Sequence, residues 1–169
     1  MERVAKFEKV SKEQFVADWL EKCGGERGEA ESVYEELLLP ERATRGSAGY
    51  DFKAPCDIVL EPGKTVLIPT GIRVKMKEDY VLMLFPRSSL GFKYRLQLNN
   101  TVGIIDSDYY GADNEGHIFA RITNDTNEGK TAVITKGQGF MQAVFVHFGI
   151  TEDDAVDEER TGGIGSTTK

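Results

Sequence analysis

The sequence predicts an all-β fold, an antiparallel barrel or sandwich, preceded by a single helix. From Leu37 onward, short runs rich in β-branched and aromatic residues alternate with Gly, Pro, Asn and Asp, as in antiparallel strands joined by turns. Four prolines, Pro40, Pro55, Pro62 and Pro69, fall at run edges or bends, where a strand tolerates a missing backbone donor. The 169 residues, 40% of them hydrophobic, are enough for one core and few for two, so one folded unit is expected.

The predicted strands lie in six runs of the sequence. They are DFKAPCDIVL, KTVLIPTGIRVKM, YVLMLF, HIFARITN, KTAVITK and FMQAVFVHFGI. Turn-forming residues separate these runs, which favours short connections between antiparallel neighbours.

The one predicted helix lies near the start of the chain. Ser11 and Gln14 fit a capping box, and the apolar residues of FVADWL then recur at helical spacing over residues 15–20. Two glycines follow Cys23, where a helix commonly stops. The apolar stripe is interpreted as a packing face.

Composition divides the chain into three regions. The stretch ERGEAESVYEE is charged and typical of a linker, which puts a boundary near residue 30. Residues 1–30 are therefore predicted to form a helical extension and linker, and residues 31–150 the β domain. The tail, residues 151–169, is acidic and then rich in Gly, Ser and Thr, which predicts a flexible segment.

Charge and hydropathy exclude several kinds of partner. The net charge of −7 and the lack of a Lys/Arg block argue against direct binding of nucleic acid or of an anionic membrane. No apolar run approaches the roughly 20 residues that span a bilayer. The start, MERVAKFEKV, lacks the apolar segment of a signal peptide, so a cytoplasmic location is expected.

The cysteines and histidines do not suggest a metal site. Cys23 and Cys56 are far apart and belong to no CxxC motif, which favours free thiols over a disulfide or a zinc site. His117 and His147 stand in strand-like sequence, and a structural role is favoured for each.

Five short segments carry residues that could do chemistry. They are AGYDF from Ala48, PRSSLG from Pro86, NNTVGIIDSDYYG from Asn99, GFMQAVF from Gly139 and RTGGIGST from Arg160. PRSSLG offers a guanidinium, two hydroxyls and backbone donors to an anion, although an ordinary polar turn has the same composition. In GIIDSDYYG a solvated hairpin tip would explain the two carboxylates, but it would not explain the two adjacent tyrosines.

Taken together and in order, the five segments closely resemble the five motifs of the homotrimeric dUTP pyrophosphatases. The resemblance covers about residues 37–168. It implies a jelly-roll-like β-barrel and hydrolysis of dUTP to dUMP and pyrophosphate, which limits uracil incorporation into DNA and supplies dUMP for dTMP synthesis. It also implies a homotrimer in which three subunits share each active site.

The resemblance assigns the nucleoside to the third segment. Asp106 would be the general base that deprotonates a water for attack on the α-phosphorus. Tyr109 would fill the space that a ribose 2′-hydroxyl needs. Asn100 and the hairpin backbone at Gly103, Ile104 and Ile105 would hold the uracil, and Asp108 would have a structural role within the turn.

The resemblance assigns the triphosphate to the other segments. Arg87, Ser88 and Ser89 from a neighbouring subunit would hold the phosphate chain, and Gln142 would contact the α-phosphate or the attacking water. The tail of a third subunit would close over the substrate with Arg160 on the terminal phosphates. Mg²⁺ is implied, with Asp51 acting through a water. From the tail, Ile164, Gly165 and Ser166 would also contact the substrate.

The chain departs from the family pattern in several places. Ile164 stands where the family usually has a Phe that stacks on uracil, so it is expected to act as an aliphatic lid. Thr168 replaces a common Gly, and the spacing from Arg160 to the Gly pair is one residue shorter than the commonest form. GADNEGHIF makes a longer connection after the third motif. Residues 1–30 lie outside all five motifs, so they are expected to be dispensable for the chemistry and to cap the trimer or bind a protein partner.

Two alternatives belong to other functional classes. A dCTP deaminase, alone or combined with the pyrophosphatase, would share the fold, but Arg121 falls where the deaminases have their catalytic Glu. A nucleotide-responsive protein-binding module would use the N-terminal helix as its contact. The joint presence of Asp106, Arg87, Gln142 and Arg160 favours catalysis over such a module.

Overall fold

The structure is a computed structural model that describes residues 1–158, 160 and 162. That part of the chain is mostly β. Its strands are β1 Ala5–Lys9, β2 Glu41–Arg42, β3 Tyr50–Lys53, β4 Ile58–Leu60, β5 Thr65–Pro69, β6 Ile72–Met76, β7 Tyr80–Pro86, β8 Leu96–Leu98, β9 Gly103–Ile105, β10 Phe119–Asn124, β11 Ala132–Ile134 and β12 Gly139–His147. Its helices are α1 Lys12–Cys23, α2 Arg27–Glu35 and α3 Ser88–Tyr94, with a 3₁₀ helix at Ser107–Gly111.

The described strands form four antiparallel sheets around one main core. The largest has the order β2-β3-β12-β7-β9, and the others are β5-β10-β8, β1-β6 and β4-β11. Fully buried side chains such as Phe52, Leu82, Ile122 and Phe140 fill the space between the sheets. Among the described residues the sheets do not join into a closed ring, so closure of the barrel stays a prediction.

The first strand belongs to the β domain and was not predicted. β1 pairs with β6 from Ala5 opposite Met76 to Lys9 opposite Ile72. On β1, Phe7 packs against the main core, with its ring centroid 5.7 Å from that of Phe52. β1 therefore ties the predicted N-terminal extension to the β domain, and the dispensability of residues 1–30 for the chemistry stays a prediction.

Helix α1 lies where the sequence predicts a helix, but only half of the expected capping box forms. Ser11 Oγ accepts a hydrogen bond from the backbone N–H of Gln14 at 3.1 Å. The Ser11 N–H donates to Glu115 Oε2 at 2.7 Å, whereas the Gln14 amide donates to Asp18. The helix ends at Cys23, and Gly24 follows with φ of 73°, a backbone angle that glycine adopts readily.

The stretch predicted as a linker is a second helix. A reciprocal pair of hydrogen bonds between Glu26 and Glu29 caps α2. Ala30 is fully buried beside Phe15 and Val16 of α1, so the two helices share a small core of their own. The linker prediction was wrong because α2 is stabilised by this packing rather than by a strong apolar pattern. The predicted boundary at residue 30 falls inside this helix, and the division into three regions stays a prediction.

Two further segments show how the sequence maps onto the fold. PRSSLG ends β7 and begins α3, a short helix that the sequence did not predict. Residues 151–158 of the tail are exposed and contain no helix or strand.

Within the described part of the chain, no helix has the length and apolarity needed to cross a membrane.

Candidate active site

Three of the five segments meet in one cavity of about 490 Å³, called here the Arg87 cavity. Strand order explains the meeting, because β12 lies between β3 and β7 and Gln142 stands opposite Asp51 and Phe85. Arg87 follows β7 directly and is the N-cap residue of α3. The lining residues are Ala43, Ser47, Ala48, Gly49, Asp51, Arg87, Ser88, Ser89 and Gln142.

The Arg87 cavity presents the donors that an anion requires. Arg87 Nε lies 3.3 Å from Asp51 Oδ1, which orients the guanidinium, and the arginine side chain stays 39% exposed. The hydroxyls of Ser88 and Ser89 and the amide of Gln142 line the same space. Guanidinium and hydroxyl donors around an open cavity suit the oxygens of a phosphate chain.

Two glycines leave room for these side chains. A Cβ on Gly49 would lie 2.8 Å from Gln142 Oε1, and one on Gly139 would lie 3.0 Å from Arg87 Nη1. Both distances are short for a nonbonded contact with a carbon atom. Glycine at these two positions therefore lets Gln142 and Arg87 approach the backbone closely.

A second cavity, of about 590 Å³, contains Asn100 and is called here the Asn100 cavity. Its volume falls in the range of small-molecule sites, about 300–1,000 Å³. Gly103 forms part of its wall opposite Leu84, and a Cβ there would lie 2.9 Å from Leu84 Cδ1. The lining residues are Asp18, Glu21, Lys22, Leu67, Leu84, Leu98, Asn99, Asn100, Gly103, Asn114, Phe119, Ala120 and Arg121.

The contribution of α1 to the Asn100 cavity was missed at the sequence level. Asp18, Glu21 and Lys22 line the cavity beside Asn100, although they are about 80 residues away in the sequence. Asn114 was also missed, and Arg121 was considered only as a departure from the deaminases. No local pattern could reveal the three residues of α1, because they reach the cavity only through the packing of α1 against the β domain.

Asp106 lies at the junction between β9 and the 3₁₀ helix. Its side chain is 51% exposed, and its backbone carbonyl accepts the Tyr109 N–H at 3.2 Å. On β9, Ile104 is exposed and Ile105 packs against the main core. The carboxylate of Asp106 is thus held on a rigid turn with access to solvent.

Arg160 of the tail reaches both carboxylates of this turn within the same chain. Its Nη2 lies 2.6 Å from Asp106 Oδ2, and its Nε lies 2.9 Å from Asp108 Oδ1. Its guanidinium carbon lies 5.7 Å from the ring centroid of Tyr109. Asp108 therefore has a specific partner in addition to its place in the turn. Ile164, Gly165 and Ser166 lie outside the described residues.

The adjacent tyrosines are tied to different parts of the protein. The Tyr109 hydroxyl donates to the His117 carbonyl at 2.8 Å and accepts from the Asn114 amide at 2.9 Å. Burial raises the pKa of Tyr109, so the phenol stays protonated and can donate. The Tyr110 hydroxyl donates to Glu8 Oε2 at 2.7 Å. These anchors explain the paired aromatics that a solvated hairpin tip does not need.

The predicted site residues fall into separate groups within one chain. Of the residues that the structure describes, none lines both the Arg87 cavity and the Asn100 cavity, and Asp106 and Tyr109 line neither of them. The two cysteines are free, as predicted. Among the described residues, no group of three or more His, Cys, Asp or Glu side chains could hold a metal ion.

Comparisons with known proteins identify the family of this chain. The family model of dUTPase matches residues 35–168. The deoxyuridine 5'-triphosphate nucleotidohydrolase of Lactococcus lactis subsp. lactis is 46% identical over 134 residues, covering 78% of this chain and 88% of that protein. The structure of dUTPase from Streptococcus mutans is 44% identical with a TM-score of 0.61, covering 69% of this chain and 91% of that one.

A more distant structure extends the similarity of fold to nearly the whole chain. The dUTPase from phage phi11 of S. aureus has a TM-score of 0.63 and covers 92% of this chain and 97% of its own. At 23% identity it supports the fold alone. The family match over residues 35–168 and the close bacterial relatives show that this chain belongs to the dUTPase family.

Proposed function

We propose that this protein hydrolyses dUTP to dUMP and pyrophosphate. The observation that carries the proposal is the Arg87 cavity, where a guanidinium, two hydroxyls and the Gln142 amide converge from three separate segments. The bacterial relatives are named for hydrolysis of the same substrate. By removing dUTP, the reaction would limit uracil in DNA and supply dUMP for dTMP synthesis.

Asp106 is the proposed general base. It takes a proton from water as the water oxygen bonds to the α-phosphorus, and the bond from that phosphorus to the bridging oxygen of the leaving pyrophosphate breaks. Gln142 orients the α-phosphate or the water. Arg160 exchanges its partners Asp106 and Asp108 for the terminal phosphates, which frees the base for the water.

The hairpin is proposed to select the nucleoside. Asn100 and the backbone of Gly103, Ile104 and Ile105 hydrogen-bond the uracil edge, and a site built on such bonds rejects a base with a different donor pattern. Tyr109, held by two hydrogen bonds, excludes a 2′-hydroxyl by its bulk. Ile164, Gly165 and Ser166 are proposed to close over the substrate.

The Asp51 carboxylate in the Arg87 cavity suits a Mg²⁺ ion that the triphosphate would carry. Asp51 is already paired with Arg87, so its carboxylate would contact the ion through water rather than hold it alone. When bound, the ion neutralises charge on the phosphate oxygens.

A homotrimer with shared sites is proposed. Its support is the separation of the Arg87 cavity from the Asn100 cavity within one chain, since a triphosphate nucleotide needs both groups of residues at once. Neighbouring subunits would supply the phosphate and nucleoside groups to the same site. A cytoplasmic location stays a prediction.

The test is pyrophosphate release from dUTP, dCTP, dTTP and UTP, each with Mg²⁺ and with a chelator. We expect strong preference for dUTP and loss of activity with the chelator. Ammonia release from dCTP would instead support a deaminase, which the close relatives and the position of Arg121 do not favour. Nucleotide binding without turnover would support the protein-binding module.

A further inference from the structure

Helix α1 contacts both the Asn100 cavity and the loop that supports Tyr109. Asp18 lies at the point where the two meet, since it lines the cavity and approaches His117 of that loop. A second link joins Ser11 Oγ to Glu115 Oε1 at 2.6 Å. Both contacts are made to the loop of residues 112–117, so α1 packs on the loop that supports Tyr109.

The hydrogen bonds of His117 fix its tautomer. The ring is fully buried, and its Nε2 accepts the backbone N–H of Gly71 at 2.8 Å. Because a backbone N–H can only donate, Nε2 carries the lone pair and Nδ1 carries the proton. Nδ1 therefore donates to Asp18 Oδ2, 2.6 Å away.

Asp18 is itself held in place. The Gln14 amide donates to the same Oδ2 at 2.9 Å. The His117 ring packs against Phe119 of β10, with 4.5 Å between centroids, and lies 6.0 Å from Phe15 of α1. Helix α1, the His117 ring and β10 thus pack into one group, and the Asp18–His117 contact at its centre is buried.

The chain of contacts continues to Tyr109. The carbonyl of His117 accepts the Tyr109 hydroxyl, and Asn114 bonds to both groups. Gly116 approaches so closely that a Cβ on it would lie 2.6 Å from the Tyr109 carbonyl oxygen. A shift of His117 would therefore be transmitted to the tyrosine.

We propose that Asp18 and His117 are positioning residues that let α1 hold Tyr109 against the sugar, and so set the preference for 2′-deoxyribose. The inference rests on the proposed function. To exclude a single hydroxyl, the Tyr109 ring must not shift by even a fraction of an ångström. Two hydrogen bonds from a loop anchored on a helix give the ring that rigidity.

The test compares kcat/KM for dUTP and UTP in three variants. Asp18→Ala removes the acceptor of His117 Nδ1, and we expect the dUTP-to-UTP ratio to fall about tenfold, a change of about 1.4 kcal/mol. Asp18→Asn keeps an acceptor oxygen and should recover most of the selectivity. Val16→Ala is the control, because it loosens the buried face of α1 at a residue that forms no hydrogen bond to His117.

Hydrogen exchange of residues 107–117 is measured in parallel, since it does not need turnover. Faster exchange in Asp18→Ala than in Val16→Ala supports the inference, and equal exchange with an equal ratio overturns it. Should Asp18→Ala fail to fold, Asp18→Leu fills the same space without an acceptor and replaces it. If the unaltered protein does not hydrolyse dUTP, the proposed function fails, while exchange still reports whether Asp18 holds the Tyr109 loop.

Discussion

The guanidinium of Arg160 lies 2.6 Å from the carboxylate of Asp106, so the tail arginine and the proposed base form an ion pair. The arginine side chain is only 14% exposed in this position. A bound triphosphate carries more negative charge than Asp106 and would compete with it for the guanidinium. In the proposed mechanism, substrate binding would therefore release Asp106 from Arg160.

Replacing Asp106 by Asn should nearly abolish turnover and leave nucleotide binding largely intact. The amide keeps the size of the side chain and cannot take the proton, which removes a contribution of about 10²–10⁴-fold. Single-turnover kinetics and binding of a non-hydrolysable dUTP analogue measure the two effects. Asp108→Asn is the control, because it removes the other partner of Arg160. Turnover of Asp106→Asn within about tenfold of the parent would exclude the base role.

Hybrid trimers should show whether the tail acts on its own chain or on a neighbour. A chain ending at Glu158 lacks the tail residues of the proposed site, and the Asp106→Asn chain lacks the base, so each alone should be inactive. After mixing and proven subunit exchange, we expect activity to return, because a tail from one chain can complete the Asp106 site of another. A mixture that stays inactive would show that the Arg160–Asp106 contact within one chain is the working arrangement.

Gly49→Ala should lower activity with little loss of stability. The added Cβ would lie 2.8 Å from Gln142 Oε1, the far end of a flexible side chain, which can turn away at small cost. Misplacing that amide by about 1 Å can cost up to about 10²-fold in rate. Gly46→Ala is the matched control, since a Cβ there meets nothing within 4 Å. Melting temperatures of the two variants should be similar, and equal kcat values would contradict the assignment of Gln142.

Phe7→Ala should destabilise the β domain. The ring lies 5.2 Å from Tyr50 and 5.7 Å from Phe145 between centroids, so its loss leaves a cavity at the edge of the core. Fully buried Phe→Ala changes cost about 3–5 kcal/mol, and we expect about 2–3 kcal/mol for this partly buried residue. Phe92→Ala, at a side chain that is 92% exposed, should change the unfolding free energy by less than about 0.5 kcal/mol. A chain beginning at Glu31 lacks β1 and α1, and its cooperative unfolding would show that the strand is unnecessary.

Glu8 should make stability fall in acid. Hydrogen bonds from Lys6 and Tyr110 lower the pKa of its carboxyl from 4.5 to about 2. A group with a lowered folded pKa contributes fully above the unfolded value, and the contribution disappears as pH falls from about 4.5 to about 2. Glu8→Gln should therefore be less stable than the parent at pH 6, by at most about 1 kcal/mol, and equal to it near pH 2. Urea unfolding checks this, with Glu31→Gln as a surface control; a difference that does not change with pH would contradict it.

The sequence predicted the strand-rich domain and the first helix because both have strong local patterns. It missed α2, whose short charged sequence is stabilised by the burial of Ala30 against α1. It also missed β1, which has only five residues and a partner far along the chain. The five segments gave the candidate site residues, but not the two separate cavities that some of them line, nor the position of Asp106 and Tyr109 outside both. These arrangements, and the approach of Asp18 to His117, depend on long-range packing, which leaves no periodic pattern in the sequence.

The pairing of β1 with β6 has a consequence for the order of folding. Helices α1 and α2 are neighbours in sequence and can associate early. The strand β1 can pair only after β6 has been made, since Lys9 lies opposite Ile72. During synthesis β1 is made before its partner β6, so its edge stays open while the intervening strands are added. We expect refolding to show rapid helix formation followed by a slower phase in which the amides of β1 become protected from exchange, and an intermediate with this open edge is where self-association would begin.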